Sequence, residues 1–216
     1  TANDTGINSL YSMDFDGSSY VDTGFVPADR LTLNCSISAW VNMPAIGNNA
    51  TSSILGTYEF TNGRSRFFLR IIRVSNIYKY FFGLGSAPGY IQDSSITISN
   101  FSPNTWVHLA LTYDGADVKL YSNGTLDGTL NAGNVGSYPP LNASFSGNTY
   151  IGATHRTVGT SDPTSIVEAY LTGKIDEVAI FNRALTDGTG NTVNEIAALY
   201  DGTGSNIRPS NLMASN

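Results

Sequence analysis

The sequence predicts an all-β domain built as a sandwich of antiparallel sheets, and three observations favour this fold class. The chain combines 22 glycines, 12 tyrosines and 10 phenylalanines with only 13% charged residues, which suits short strands and tight turns better than long helices. Runs of alternating apolar and polar residues recur at a spacing of roughly 8 to 12 residues, with turn residues between them. At 216 residues the chain is long enough for one such domain.

The clearest run is the stretch 104–126, NTWVHLALTYDGADVKLYSNGTL. Residues 106–113 alternate, so that Val107, Leu109, Leu111 and Tyr113 share one face of a strand. The Asp-Gly pair at 114–115 supplies a tight turn, residues 118–122 form a second strand, and an Asn-Gly pair follows at 123–124. Such pairs tolerate positive φ and favour hairpins, so this stretch is predicted to form adjacent antiparallel strands.

The other predicted strands follow in order at 10–15, 20–25, 31–43, 53–57, 66–74, 77–83, 95–99, 149–153 and 173–182. The stretch 31–43, LTLNCSISAWVNM, alternates most regularly. One face carries Leu31, Leu33, Cys35, Ile37, Ala39 and Val41, and the other carries Thr32, Asn34, Ser36, Ser38 and Trp40. We therefore expect a strand with one buried face and one mostly polar, exposed face.

The hydrophobic period changes near the C-terminus, where residues 192–200 predict one short helix. Thr192 and Glu195 have the spacing of a capping box, and Ile196, Leu199 and Tyr200 share one side. We expect residues 1–9 to be a lead-in, 10–202 the domain, and 203–216 a tail or linker of a longer protein.

The net charge, the apolar runs and the cysteine content each argue against one class of partner or cross-link. The net charge of −6 argues against a nucleic-acid partner, because phosphates require a basic surface. No apolar run approaches the roughly 18 residues that a membrane-spanning helix needs, so we expect no membrane insertion. The single cysteine, Cys35, excludes an intrachain disulfide, and its place in an apolar strand predicts burial.

An ordered set of motifs resembles the laminin-G-like domains of the concanavalin A-like lectin/glucanase superfamily. The matching pieces are FDGSSYVDTG at 15–24, TLNCSISAWVNM at 32–43, TWVHLALTYDGADVKLYSNG at 105–124, YIGA at 150–153, GKIDEVAIFNRALT at 173–186 and EIAALYDG at 195–202. The resemblance implies a jelly-roll β-sandwich of two curved antiparallel sheets in which the first and last strands are neighbours. It implies no single activity, because the superfamily includes lectins, adhesion modules, glycosidases and lyases.

A structural calcium site is predicted near the joined ends of the domain. Asp16 and Gly17 offer a carboxylate and a turn carbonyl, both of which are ligands that Ca²⁺ prefers. The resemblance implies that Asp176, on the last strand, lies beside them and completes a Ca²⁺ site. The alternative is that Asp176 forms a salt bridge with Lys174 or accepts a backbone hydrogen bond.

Sugar recognition requires aromatic rings for C–H faces and polar groups for hydroxyls. Residues of these types at predicted strands and loops are the candidate ligand-binding residues: Tyr58, Arg64, Tyr78, Tyr80, Tyr90, Tyr138, His155 and Arg156. The competing interpretation for each aromatic is a place in the core or on a sheet surface.

The sequence gives little support for catalysis. Asp176 and Glu177 are adjacent, so they are expected to point to opposite faces of a strand, whereas retaining glycosidases need two facing carboxylates. Tyr78-Lys79-Tyr80 is similar to the Tyr/Lys strand of alginate lyases, but the accompanying Gln-x-His strand is missing from the sequence. His108 is interpreted as a structural histidine.

We therefore expect a non-catalytic carbohydrate-binding or adhesion domain of a larger surface or secreted protein, whose partner is a glycan or a surface protein. Its expected location is extracellular, on a cell surface or on a virion. The main alternative is a structural display module of a virion fibre or surface protein that forms homo-oligomers. A polysaccharide hydrolase or lyase is the third hypothesis.

Overall fold

A computed structural model of the chain describes residues 12–27, 31, 34–59, 65–85, 91–131, 147–157, 166–191 and 193–201. These residues form a sandwich of two β-sheets, which confirms the predicted fold class. Strands are numbered in chain order. The predicted lead-in and tail lie outside the described residues.

The described part of the first sheet has six strands, all paired antiparallel. In spatial order these are β1 (Met13–Asp16), β14 (Thr172–Phe181), β3 (Cys35–Asn42), β8 (Val107–Tyr113), β9 (Asp117–Ser122) and β10 (Thr125–Asn131). The first and last strands, β1 and β14, are neighbours, as the family resemblance implies.

The second sheet has the order β13 (Ile166–Glu168), β12 (Thr154–Thr157), β4 (Thr51–Glu59), β5 (Arg66–Val74), β6 (Ile77–Gly85) and β7 (Ile91–Asp93). Two short strands branch from β4 outside this order, since β11 (Tyr150–Ile151) pairs with both β4 and β2 (Val21–Asp22). The β12–β4 pairing is parallel, and it places β12 directly beside the strand that carries Tyr58.

The predicted hairpin of β8 and β9 is confirmed. Leu111 pairs with Leu120 in its centre. In the turn, Asp114 Oδ1 accepts hydrogen bonds from the Ala116 and Asp117 amides at 2.8 and 2.7 Å. Asn123 and Gly124 both have positive φ, at 48° and 75°, which is the conformation that an Asn-Gly turn permits.

The main core lies between the sheets and receives alternate residues from both. β3 contributes Cys35, Ile37, Ala39 and Val41, as its alternation predicts. The facing sheet contributes Phe67, Leu69, Ile71, Tyr80 and Phe82, and all of these side chains are fully buried. Burial of this apolar surface is the main favourable contribution to folding.

The second face of β3 is also buried, so the prediction of an exposed polar face is wrong. A smaller core of Ala110, Tyr121, Ala179, Phe181, Leu185, Ile196 and Leu199 covers this side of the sheet. Ser36 Oγ donates to the Arg183 carbonyl and accepts from the Leu185 amide, each at 2.9 Å. The Ser36 hydroxyl is therefore satisfied by the segment that follows β14, and the Ser38 hydroxyl is satisfied by His108 on β8 at 2.8 Å.

The C-terminal helix α1 (Glu195–Asp201) begins later than predicted, so Glu195 is its first residue and not the third residue of a capping box. Its N-cap is Asn194, whose side-chain oxygen accepts a hydrogen bond from the Ala197 amide at 2.8 Å. Glu195 instead forms a bidentate ion pair with Arg183 at 2.7 and 2.8 Å. The predicted cap, Thr192, lies outside the described residues.

Several strand predictions need correction. The predicted strand 95–99 contains only an isolated bridge between Thr97 and Lys79. Strands β12 and β13 are not among the predicted strands; β12 pairs with β4, which is distant in sequence, and β13 pairs with β12. β10 continues the sheet beyond the Asn-Gly turn.

Candidate functional site

One candidate site is the outer face of the second sheet. The core contains the alternate residues of β5, which are Phe67, Leu69 and Ile71. Arg66, Phe68 and Arg70 therefore lie on the opposite face. Arg66 and Arg70 are each only 7% exposed, which is unusual for arginine and shows that both guanidinium groups are packed into the surface.

Two arginines flank a tyrosine across three strands of this face. Arg66 pairs with Tyr58 on β4, and Tyr58 pairs with Arg156 on β12. Directly paired residues point to the same side of a sheet, about 5 Å apart at Cβ. The Arg66 guanidinium carbon lies 5.0 Å from the centroid of the Tyr58 ring, and its Nη2 donates to the tyrosine hydroxyl at 3.4 Å.

Arg70 forms the best-connected part of the face. Its guanidinium carbon lies 4.6 Å from the centroid of the Phe68 ring, a cation–π distance. Its Nε donates to Thr154 Oγ1 at 3.0 Å, and its Nη2 bonds to Glu168 Oε1 at 2.9 Å. Burial lowers the pKa of Arg70, while the hydrogen bond and the charge of Glu168 act in the opposite direction.

Glu168 joins two of the arginines. Its second carboxylate oxygen lies 3.5 Å from Arg156 Nη1, and its side chain is 32% exposed. We call the set Tyr58, Arg66, Phe68, Arg70, Arg156 and Glu168 the arginine face. It holds three guanidinium groups, two of them beside the single carboxylate of the set, in a chain whose net charge is −6. Planar guanidinium groups bind carboxylates through paired hydrogen bonds.

Two glycines make the packing of this face possible. A Cβ atom on Gly83 would lie 2.5 Å from Phe68 Cε1, and one on Gly56 would lie 2.6 Å from Phe68 Cβ. These distances are shorter than van der Waals contact, so glycine at both positions leaves the space that Phe68 occupies. The ring in turn supports Arg70.

A second candidate surface is a column of stacked rings at the edge of the same sheet. Tyr20 stacks on Tyr150 with centroids 4.4 Å apart and planes at 8°, and Tyr150 stacks on His155 at 4.6 Å and 7°. Tyr170 lies at a tilt, 6.4 Å from Tyr20. We call Tyr20, Tyr150 and His155 the tyrosine stack. Tyr20 remains 41% exposed at its outer end.

Polar groups border the tyrosine stack. Asn148 Nδ2 donates to Asp22 Oδ2 at 3.2 Å. His155 Nδ1 lies 3.3 Å from the Asn148 carbonyl. Burial raises the pKa of Tyr150, and the neighbouring Tyr20 and Asp22 raise it further.

The structure brings together only some of the predicted ligand-binding residues. Tyr58 and Arg156 lie on the arginine face, and His155 lies in the tyrosine stack. Arg64, Tyr90 and Tyr138 lie outside the described residues. The two candidate surfaces also contain Tyr20, Tyr150, Arg66 and Arg70, which are not among the candidates predicted from the sequence, although the alternation RFFLR at 66–70 places both arginines on one strand face.

The structure places Tyr80 in the core and Tyr78 half-buried against it, rather than on either candidate surface. Both share the face of β6 that carries Phe82, which points into the core. Tyr80 is fully buried, and its hydroxyl donates to Asp127 Oδ2 at 2.6 Å. Tyr78 packs on Phe101 with ring centroids 4.3 Å apart.

The predicted calcium ligands are not brought together. The β1–β14 register places Asp16 opposite Thr172, four residues and therefore about 13 Å of strand from Asp176. Asp16 Oδ1 accepts from the Ser18 and Ser19 amides, each at 2.9 Å, and these bonds lower the pKa of Asp16 to about 2. Asp176 Oδ1 accepts from the Glu177 amide at 2.8 Å.

In the described part of the chain, no group of three or more acidic, histidine or cysteine residues could hold a metal ion. A calcium site made jointly by Asp16, Gly17 and Asp176 does not fit this register. Calcium binding by the domain stays a prediction.

His108 lies far from either surface, beneath α1. Its Nε2 lies 2.8 Å from Ser38 Oγ, and its ring packs 5.4 Å from Trp40 and 6.3 Å from Tyr200. Burial lowers the pKa of His108 to about 3, so the imidazole is neutral at physiological pH. These contacts support a structural role.

Comparison with known families identifies the class of protein. The profile described as the concanavalin A-like lectin/glucanases superfamily, of laminin-G type, matches residues 15–189. The chain therefore belongs to this family, as the motifs indicate. No curated protein sequence matches significantly.

Solved structures show the same fold at low sequence identity. A heptameric SAP-like pentraxin from Limulus polyphemus aligns with a TM-score of 0.58 at 16% identity, covering 88% of this chain and 81% of its own. The CBM40 domain of a Ruminococcus gnavus sialidase aligns with a TM-score of 0.56 at 18% identity, covering 82% of this chain and 92% of its own. Domain 4 of an extracellular arabinanase from Geobacillus stearothermophilus, solved with arabinotriose, aligns with a TM-score of 0.55 at 18% identity. The alignment covers 86% of this chain and 76% of that domain's chain.

None of the helices described is long and apolar enough to span a membrane.

Proposed function

We propose that this domain is a non-catalytic carbohydrate-binding domain, part of an extracellular or surface protein, and that its arginine face binds an acidic glycan. The observation that carries the proposal is the row Arg66–Tyr58–Arg156, which sets one aromatic ring between two guanidinium groups on adjacent strands. A tyrosine ring can support the C–H face of a sugar, and a guanidinium group can bind its carboxylate.

The existing ion pairs favour an acidic ligand. Glu168 already accepts a hydrogen bond from Arg70 and lies near Arg156, so the positive charges of these arginines already accommodate a carboxylate at this position. The half-exposed Arg156 and Glu168 give a ligand access to the row at its β12 end. A second anion beside Arg156 would add a charge-assisted hydrogen bond, the stronger class of hydrogen bond.

Two relatives in fold support sugar as the ligand class. The CBM40 domain was solved with α2,3-sialyllactose, an acidic sugar, in an alignment at TM-score 0.55 and 17% identity. The arabinanase domain was solved with arabinotriose. These ligands belong to those proteins, and for this chain they support carbohydrate as the class of ligand to test.

A binding role is also favoured over hydrolysis at this face. Retaining hydrolysis uses two carboxyl groups about 5 Å apart. The arginine face as defined above contributes one carboxylate, and Arg70 engages it at 2.9 Å. One arginine-bound carboxylate does not make the facing pair that retaining hydrolysis requires.

A glycan array tests the proposal, with matched arrays in calcium and in EDTA. We expect acidic glycans to bind wild-type protein, and Arg156→Gln and Tyr58→Ala to bind them roughly tenfold less tightly. Lys174→Gln is the control, because Lys174 is an exposed cation on the other sheet, paired loosely with Asp14 at 3.9 Å. The proposal fails if wild-type protein binds no acidic glycan, or if Arg156→Gln binds like Lys174→Gln. Incubation with the bound polysaccharide should release no reducing ends.

A further inference from the structure

We propose that the tyrosine stack is a second binding site, which takes the apolar face of a neutral pyranose ring on Tyr20. This inference goes beyond the acidic-glycan site and concerns a different ligand class. It rests on the geometry of the stack, the exposure of its outer ring and the polar groups beside it.

The stack holds its outer ring in a fixed plane. Three rings lie nearly parallel, with successive centroids 4.4 and 4.6 Å apart. The inner end is anchored, because His155 is only 9% exposed. A ring supported in this way loses little side-chain freedom when a ligand stacks on it, and such preorganisation favours binding.

The outer end of the stack presents apolar surface to solvent. Tyr20 is 41% exposed, and it is one of the six large hydrophobic side chains left exposed in the described residues. Sugars carry a C–H face of similar size, which leaves water when it stacks on an aromatic ring.

The polar groups beside the stack suit hydroxyl groups. Asp22 supplies a carboxylate, held in place because its Oδ1 accepts from the Gly24 amide at 3.0 Å. Asn148 supplies an amide that donates to Asp22 Oδ2 at 3.2 Å. A carboxylate accepts from sugar hydroxyls, and an amide can both donate and accept. The Asp22 charge would repel a sugar carboxylate, so the preferred ligand is neutral.

The alternative is that the rings only stabilise the sheet edge. β2 has two residues and β11 has two, so their pairing is short, and ring stacking would strengthen it. That role requires the contacts between the rings but not the exposure of Tyr20. The two roles therefore predict different results for ligand binding and for stability.

The test combines binding and spectroscopy on the whole chain. Soluble neutral β-glucan and mannan are the probes, in affinity electrophoresis and in NMR titrations that follow the Tyr20 and Tyr150 ring signals. We expect a neutral glycan to shift both ring signals. We also expect Tyr20→Ala to weaken binding roughly tenfold or more, with Tyr20→Phe close to wild type.

Leu126→Ala is the matched control, since Leu126 is 46% exposed on the first sheet, and it should bind like wild type. Arg156→Gln should lose acidic glycans yet keep neutral ones, which separates this site from the arginine face. Binding of acidic glycans alone, with no shift at Tyr20, overturns this inference and leaves the proposed function intact. Ring shifts that depend on protein concentration without glycan would indicate self-association and overturn it as well. A lower Tm for Tyr20→Ala with unchanged neutral-glycan binding would establish the edge-stabilising role instead.

Discussion

Replacing Tyr80 by phenylalanine removes a single hydroxyl group that connects the two sheets. Tyr80 lies on β6 of the second sheet, and its hydroxyl donates at 2.6 Å to Asp127 on β10 of the first. Burial raises the pKa of Tyr80 well above its usual value, so the group is a neutral donor. A hydrogen bond to a charged acceptor contributes about 1.5–3 kcal/mol. We expect Tyr80→Phe to lower the free energy of unfolding by about 2 kcal/mol, because Asp127 still accepts a hydrogen bond from the Ser99 amide at 3.2 Å.

For a protein of this size, 1 kcal/mol corresponds to about 2–4 °C in Tm, so Tyr80→Phe should melt about 4–8 °C lower. The matched control is Tyr78→Phe, two residues away on the same face. The Tyr78 hydroxyl is buried and has no hydrogen-bond partner among the described residues, so its removal should be neutral or stabilising. Urea unfolding at constant m value measures both. Equal effects of the two substitutions would refute the reasoning.

Three further predictions concern pH, the helix cap and the acidic residues. Burial lowers the pKa of His108 from 6.5 to about 3, so between these pH values the unfolded state binds a proton that the folded state does not. The contribution of neutral His108 to the free energy of unfolding is therefore complete above about pH 6.5 and is lost as the pH falls toward 3. The Tm measured against pH should fall less steeply for His108→Gln than for wild type. Asn194→Ala should lower the free energy of unfolding by about 1 kcal/mol through loss of the N-cap, and hydrogen exchange should increase at the Ala197 amide, whereas unchanged exchange would contradict the cap. Asp16→Asn and Asp176→Asn should have additive effects on unfolding, within about 0.5 kcal/mol, in both calcium and EDTA; coupling in calcium alone would show a shared ion.

Local sequence was sufficient for features whose partners are near in the chain. The β8–β9 hairpin follows from alternation and two turn dipeptides, and the core face of β3 follows from its period of two. The second face of β3 could not be predicted in this way. Ser36 and Ser38 appear polar and exposed in sequence, but a segment near the C-terminus covers them and satisfies Ser36.

The candidate sites depend on pairing between strands that are distant in sequence, which explains why only some of their residues were predicted. Tyr58 and Arg156 were identified by residue type, but their juxtaposition requires the parallel β12–β4 pairing. Tyr150 lies in the two-residue strand β11, and Tyr20 directly precedes the two-residue strand β2. Both fall within predicted strands, but the pairing of β2 with β11 joins segments that are distant in sequence. Tyr78 and Tyr80 carry the residue type of a sugar platform, and only the position of their strand face shows that they pack in the core.

The interior position of Cys35 has a practical consequence for labelling experiments. Its thiol is fully buried, and burial raises its pKa to about 12, so maleimide reagents should not react with it in the native state. Because the sequence contains no other cysteine, a Val193→Cys variant, at a side chain that is 72% exposed, would carry a single reactive position. A fluorophore attached there would report on docking of α1 without altering either candidate sugar site.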